Sequence, residues 1–267
     1  MNTPERTPDS LLEVARDTRG VYTLTLNDPQ RFNALSRHML DALQQALDSV
    51  AQDATARVVV LAGRGRAFCA GHDLKDMAAH PQLDYYQELF GQCGRMMLSI
   101  SKLSVPVIAR VHGIATAAGC QLVAQCDLAV ASHEASFATS GIHYGLFCAT
   151  PSVPLVRTVP IKRAMEMLLT GDFIDAVTAQ REGLVNRVVA PEQLDIEVQA
   201  LVQSILGKPA VAIAMGKALV YQQRELELQA AYQLAGQTMA VNMMDADAQE
   251  GARAFVEKRR PLWQTNP

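Results

Sequence analysis

The chain has 267 residues, with 24 Lys and Arg against 27 Asp and Glu, a formal net charge of −3 and 49% hydrophobic residues. That length can bury a real core without disulfides, and the near-balanced charge gives no electrostatic reason to expect nucleic acid or an anionic membrane as a partner. Cys69, Cys93, Cys120, Cys126 and Cys148 form no CxxC pair or Cys/His cluster of zinc spacing, so they read as small buried hydrophobes in a reducing compartment, with no metal expected.

The opening MNTPERTPDS is polar and lacks the apolar core of a signal peptide, and no run of the sequence reaches membrane-spanning length. Residues 1–19 therefore read as a flexible start, and the protein as soluble and cytoplasmic. GVYTLTLND (20–28) alternates apolar and polar positions and ends in Asn27, Asp28 and Pro29, which predicts a strand. From Ser36, an N-cap candidate, Leu40, Leu43, Leu47 and Val50 recur at helical spacing. VVVLA (58–62) is a buried-type strand broken by Gly63 and Gly65, and residues 82–103 form a helix with Leu89, Cys93, Met96, Met97 and Ile100 on one side. VPVIARV (105–111) and DLAVAS (127–132) are further strands. Strands alternating with helices argue an α/β core over 20–190. Beyond it, Leu194, Val198, Leu201 and Ile205 open an all-helical region, 191–267, whose apolar stripes suit packing or a subunit interface.

Three stretches carry chemistry. A strand followed by Gly63-x-Gly65 matches the opening of a dinucleotide fingerprint, but Phe68 stands where that motif needs a small third residue; a glycine turn at a strand end explains the pair equally. RAFCAGHDLKDM (66–77) and ATAAGCQLVAQCD (115–127) each follow a buried strand, at the edge where ligands of α/β sheets gather. Small residues there let backbone approach a ligand closely, and the first N–H groups of a helix lack internal partners.

With NDPQRFNALS (27–36), PVIARVHGIATAAGCQLVAQCDLAVAS (106–132), SFATSGIHYGL (136–146), MLLTGDFIDAVTAQREGLVNRVV (167–189) and EGARAFVEKRRP (250–261), these stretches make the chain resemble the crotonase superfamily, the enoyl-CoA hydratase/isomerase proteins, from about residue 20 to 263. The resemblance implies a spiral of ββα units, a helical C-terminal part covering an acyl site, and a homotrimer or homohexamer. It implies an acyl-CoA thioester as ligand, with coenzyme A as substrate carrier and no permanently bound cofactor. Its oxyanion hole, two backbone N–H groups on the thioester oxygen, maps onto Ala70 and Ala118, the second position being commonly Gly. Its coenzyme contacts map onto Arg31, Ala34, Ala67, Ala70, Gly71, His72, Asp73, Leu74 and Lys258.

The two hydratase glutamates map onto Gln121 and Gly141. A carboxamide hydrogen-bonds but is no base, and glycine has no side chain, so water addition is expected to be weak or absent. His143 is the candidate replacement base if its segment is extended, because on a helix it would point away from Gly141. Tyr144 is an acid candidate, with packing as its other role, and Cys148 lacks an evident basic partner for nucleophilic work. Lys258, Arg259 and Arg260 either meet coenzyme phosphate or complement a helix C-terminus. Three readings stay open: an enoyl-CoA hydratase/isomerase-type enzyme acting by isomerisation, hydrolysis or decarboxylation; a non-catalytic acyl-CoA-binding module; and a nucleotide-dependent oxidoreductase resting on Gly63 and Gly65.

Overall fold

The computed structural model describes residues 11–264. Among the described residues ten strands form two sheets. The larger has the order β1 (Leu12–Arg16), β2 (Val21–Leu26), β3 (Val58–Gly63), β5 (Val107–Val111), β7 (Leu128–Ser132), β10 (Arg187–Val189). The smaller has the order β4 (Ala67–Cys69), β6 (Ile114–Thr116), β8 (Ser136–Ala138), β9 (Ile174–Asp175). From β3 to β8 consecutive strands alternate between the sheets, and neighbours within each sheet run parallel, so the chain winds as a spiral of ββα turns, as the resemblance implied.

Burial explains the winding. In β3, Val59 and Leu61 face the main core, whereas Val58 and Val60 face a second cluster with Leu194, Val198 and Val202 of α8 (Leu194–Leu206). The strand is apolar on both faces because helices cover both. α1 (Arg37–Gln52) starts on Ser36, whose Oγ accepts from Met39 N–H at 3.2 Å, and buries Leu40, Leu43, Leu47 and Val50. α3 (Leu83–Lys102) buries the five apolar residues expected of it, and α2 (Leu74–Ala79) links β4 to it. α4 (Ala118–Gln125) follows β6; α5 (Ala149–Thr158), α6 (Ile161–Thr170) and α7 (Ala176–Arg181) complete the core.

Two expectations change. Residues 12–16, assigned to the flexible start, form β1, paired antiparallel with β2 from Leu12↔Leu26 to Arg16↔Tyr22; residues 1–10 lie outside the described part. α8, grouped by sequence with the helical C-terminal region, packs on the large sheet. The remaining helices, α9 (Ala210–Gln223), α10 (Leu228–Met243) and α11 (Ala246–Val256), bury little of themselves. No single helix among the described residues is long and apolar enough to cross a membrane.

α9 is fixed to the core by a polar clamp. Lys217 Nζ donates to Asp127 Oδ2 at 2.7 Å and to the carbonyls of Ile100 and Val105 at 2.9 Å each, while Tyr221 O–H reaches Asp127 Oδ1 at 2.9 Å. Burial lowers the Lys217 pKa and Asp127 opposes that, so the ammonium survives because all three of its donors are matched.

A second set of bonds ties residues 28–35 to residues 64–72. Asn33 is fully buried and, like Phe32, left-handed (φ 55° and 54°), a conformation Asn tolerates better than most residues. Its Nδ2 lies 2.8 Å from the carbonyls of Arg64 and Ala67 and 3.2 Å from that of Phe68, and its Oδ1 accepts from Asp28 N–H at 2.9 Å. Beyond it, Ala70 N–H donates to Phe32 O at 3.0 Å and Leu35 N–H to Gly71 O at 2.7 Å.

Replacing Lys217 by Met removes the counter-ion of Asp127, leaving the carboxylate only the Val107 N–H and the Tyr221 O–H, and should lower the unfolding free energy by about 3 kcal/mol in urea titration. Asn33→Ala leaves several buried backbone groups unpaired at about 1–3 kcal/mol each, so a loss of about 3 kcal/mol or more is expected, and an unchanged midpoint would refute the role of this side chain.

Candidate active site

The C-terminal ends of the parallel strands β4, β6 and β8 lie side by side, so the segments Ala70–Asp73, Ala117–Gln121 and Thr139–Tyr144 converge at one edge of the small sheet. These are the three stretches in which the sequence concentrates its candidate residues.

Gly71 brings the first two together. Its φ is +88°, and a Cβ on it would lie 2.9 Å from Ala118 N and 2.8 Å from Ala117 Cβ, so only glycine fits. On one side of it the His72 N–H, and on the other the Ala118 N–H at the start of α4, have no hydrogen-bond partner among the described residues. The backbone at Ala117 is held at φ 51°, ψ −122°, a costly conformation for a residue with a Cβ, fixed by Ala117 N–H donating to Ala138 O at 3.0 Å. The expectation at Ala70 is corrected here. Its N–H is taken by the Phe32 carbonyl, so Ala70 cannot offer a free donor beside Ala118.

The imidazole of His72 is also placed. Nδ1 lies 3.1 Å from Leu35 O, and since a carbonyl only accepts, Nδ1 carries the proton. Nε2 is buried without a partner among the described residues, the ring tilts against Phe90 at 5.4 Å, and burial lowers the pKa, so the ring is neutral. Gln121 is only 4% exposed, with a buried, unpartnered Oε1. Thr139 Oγ1 is likewise buried and unpartnered, while Thr116 Oγ1 and Ser140 Oγ pair at 2.7 Å.

Gly141 opens away from any carboxylate role. A Cβ there would lie 2.6 Å from Leu146 O and 2.9 Å from Cys148 Sγ, so residues 146–148 fill the side-chain direction. The tentative base His143 is corrected as well. Ser140–Tyr144 is a 3₁₀ helix, not an extended segment, and His143 is exposed with Nε2 held 3.2 Å from Gly171 O. Tyr144 is 73% exposed. The Cys148 thiol is buried and pushed up in pKa by that burial, the Gly141 N–H opposing it only partly, so it is no thiolate nucleophile.

The coenzyme candidates divide. Asp73 caps α2, its Oδ1 accepting from Lys75 and Asp76 N–H, and it faces Arg31 at 3.4 Å. Ala34 and Ala67 are buried, their carbonyls taken by Ser36 N–H and Asn33 Nδ2, which leaves them packing roles. Leu74 and Lys258 are exposed, Lys258 in the left-handed conformation (φ 54°) just past α11, whereas Arg259 is bound to Glu250 and Glu257. Gly63 and Gly65 do not open a nucleotide loop. A strand, β4, follows them where the fingerprint needs a helix, and a Cβ at Gly63 would strike Phe68 O at 2.7 Å. Among the described residues no group of three or more His, Cys, Asp or Glu is placed to hold a metal ion.

Sequence reasoning missed two things. Asn33 lay inside a quoted motif, but its paired left-handed backbone and three carbonyl contacts are tertiary. The hydrogen bond from Ala70 N–H to the Phe32 carbonyl was the other, because it joins segments 38 residues apart and mapping by resemblance does not show it.

Comparison with known proteins agrees with this fold. The family model for enoyl-CoA hydratase/isomerase matches residues 16–266. Enoyl-CoA hydratase domain-containing protein 3, mitochondrial, of Rattus norvegicus is 44% identical over 97% of this chain and 86% of its own length. An enoyl-CoA hydratase structure from Mycobacterium smegmatis superposes with a TM-score of 0.94 at 60% identity, covering 95% of this chain and 98% of that one. The human enoyl-CoA hydratase domain-containing protein 3 structure gives 0.91 at 42%, covering 95% and 100%. The cytoplasmic expectation is overturned, because the rat and human relatives are named as mitochondrial proteins. It rested on a missing apolar signal core, and organelle transit segments are amphipathic and Arg-rich instead, so that absence never separated the compartments. Fold, site and relatives together place the chain in the enoyl-CoA hydratase/isomerase family of the crotonase superfamily, which acts on acyl-CoA thioesters.

Proposed function

We propose that this protein binds an acyl-CoA thioester with the carbonyl oxygen on the His72 and Ala118 N–H groups and stabilises the enolate formed there, without adding water efficiently. The observation that carries the reading is the pair of N–H groups flanking Gly71 that have no partner among the described residues, brought together by the close approach of backbone at Gly71. Each such donor contributes about 10²–10³ in rate when negative charge develops on the oxygen. Coenzyme A arrives as the substrate's carrier. Arg31, Leu74 and Lys258, all exposed, are the side chains of the coenzyme candidates within reach of solvent to meet it, Arg31 through its exposed ion pair with Asp73.

Hydration needs a base for water and an acid for the α carbon, each worth about 10²–10⁴. Gln121 can orient a carbonyl or a water but takes no proton, and Gly141 supplies nothing. Isomerisation of a double bond needs only the oxyanion donors and one base, which favours it over hydration. A second reading, a binding module without turnover, is favoured by the same two positions.

We also infer a homotrimer or homohexamer. α9 to α11 contribute only Ala231, Glu250 and Ala254 to the buried set, while Tyr232, Met239, Met244 and Phe255 are each 70–85% exposed. So much apolar surface on three neighbouring helices suits contact with further copies.

Titration calorimetry should show binding of butyryl-CoA, and loss of enoyl absorbance on crotonyl-CoA should run at least about 10²-fold slower than for a hydratase with both glutamates. Gln121→Glu should recover little. Adding Gly141→Glu should cost stability, since its Cβ meets Leu146 O, and should not restore a hydratase rate. Rapid hydration by the unmodified protein would overturn this assignment. Light scattering at micromolar concentration should give three or six times the 29.0 kDa chain mass, and a monomer would refute the assembly.

A further inference from the structure

Three buried polar atoms near the convergent segments have no partner among the described residues: His72 Nε2, Gln121 Oε1 and Thr139 Oγ1. An amide oxygen and a neutral hydroxyl are not bases at neutral pH, whereas an imidazole nitrogen is. His143, the other histidine near the site, is exposed and turned to Gly171. His72 is different in three respects. Its Nδ1–H is anchored on Leu35 O, which fixes both the tautomer and the ring plane. Leu35 is itself fixed, its N–H donating to Gly71 O at 2.7 Å. The free Nε2 lone pair is thereby held in an apolar setting beside Phe90.

We propose that His72 is the catalytic base of this site, its Nε2 removing the α proton of an acyl thioester whose oxygen rests on the N–H of the same residue. This rests on the acyl-CoA reading above. The juxtaposition is built into one residue. The ring hangs from the residue whose N–H is the oxyanion donor, and the α carbon of the ligand is one bond from the carbonyl carbon, so the proposal requires Nε2 to face that carbon when the thioester is bound. Apolar burial keeps Nε2 unprotonated and ready to accept.

The step balances without a co-reactant. The Nε2 lone pair takes the α proton, the C–H electron pair becomes the C1–C2 double bond, and the carbonyl π pair moves onto oxygen, where His72 and Ala118 N–H hold it. The resulting imidazolium lies beside the enolate it formed and is stabilised by it. In a 3-enoyl thioester the enolate extends to a dienolate, and return of the proton to the γ carbon gives the conjugated 2-enoyl product. The base ends as it began. The substrate class is therefore 3-enoyl-CoA thioesters.

The test follows conversion of 3-hexenoyl-CoA to the conjugated 2-enoyl thioester by absorbance. The unmodified protein should convert it, and His72→Ala should lower kcat by about 10²–10⁴-fold. His72→Asn should lose as much, although its amide can still donate to Leu35 O, and circular dichroism melting of this variant guards against a folding defect. Both variants keep the backbone N–H and should still bind butyryl-CoA by calorimetry. Isomerisation undiminished in both variants would overturn the proposal, as would an unmodified protein that binds butyryl-CoA but never isomerises. Failure to bind any acyl-CoA would instead bring down the acyl-CoA reading itself.

Discussion

Everything at the site depends on the hydrogen bonds that join residues 28–35 to residues 64–72. Asn33 holds three carbonyls of the second segment from within a left-handed turn of the first, and Ala70 N–H and Leu35 N–H continue the join toward Gly71. An oxyanion donor helps only if it is already fixed when charge develops, because reorganising it during the reaction would consume the benefit. Without this join the His72 N–H would belong to a free loop. With it, the loop is bonded to residues 28–35 through Ala70 N–H, Gly71 O and His72 Nδ1.

The same join decides which groups are left over. Phe32 takes the Ala70 hydrogen and Leu35 takes the His72 Nδ1 hydrogen, so the His72 N–H and the buried His72 Nε2 are left without a partner among the described residues, as is the Ala118 N–H across Gly71. Donors and acceptor therefore sit on one short segment and the first turn of one helix. The two positions that the resemblance matches to hydratase glutamates offer no carboxylate in this sequence. Gln121 is buried and neutral, and the space beside Gly141 is filled by the backbone of Leu146 and the thiol of Cys148. Introducing a carboxylate at 141 therefore means moving a backbone segment as well as adding a side chain.

The long elements were legible in the sequence because they repeat a period. The strands at 58–62, 105–111 and 127–132 and the helices at 36–50 and 82–103 lie where apolar spacing put them. The small sheet was not legible. β4, β6 and β8 are three residues each, too short to show alternation, yet their ends carry the site. Which N–H is free there depends on tertiary bonds such as that from Ala70 to the Phe32 carbonyl, and no local pattern shows it. β1 was lost to the polar, proline-bearing stretch before it. Backbone conformations such as those of Asn33 and Ala117 are imposed by tertiary contacts, and nothing local announces them.

The central claim is that thioester chemistry is organised by the His72 and Ala118 N–H groups, with Ala70 withdrawn from the role. A crystal structure of the protein with butyryl-CoA bound tests it directly. The account predicts the thioester oxygen within hydrogen-bond distance, about 2.7–3.2 Å, of both His72 N and Ala118 N, with Ala70 N–H still on the Phe32 carbonyl. An oxygen beyond reach of both groups, or one held by an Ala70 N–H released from Phe32, would contradict it.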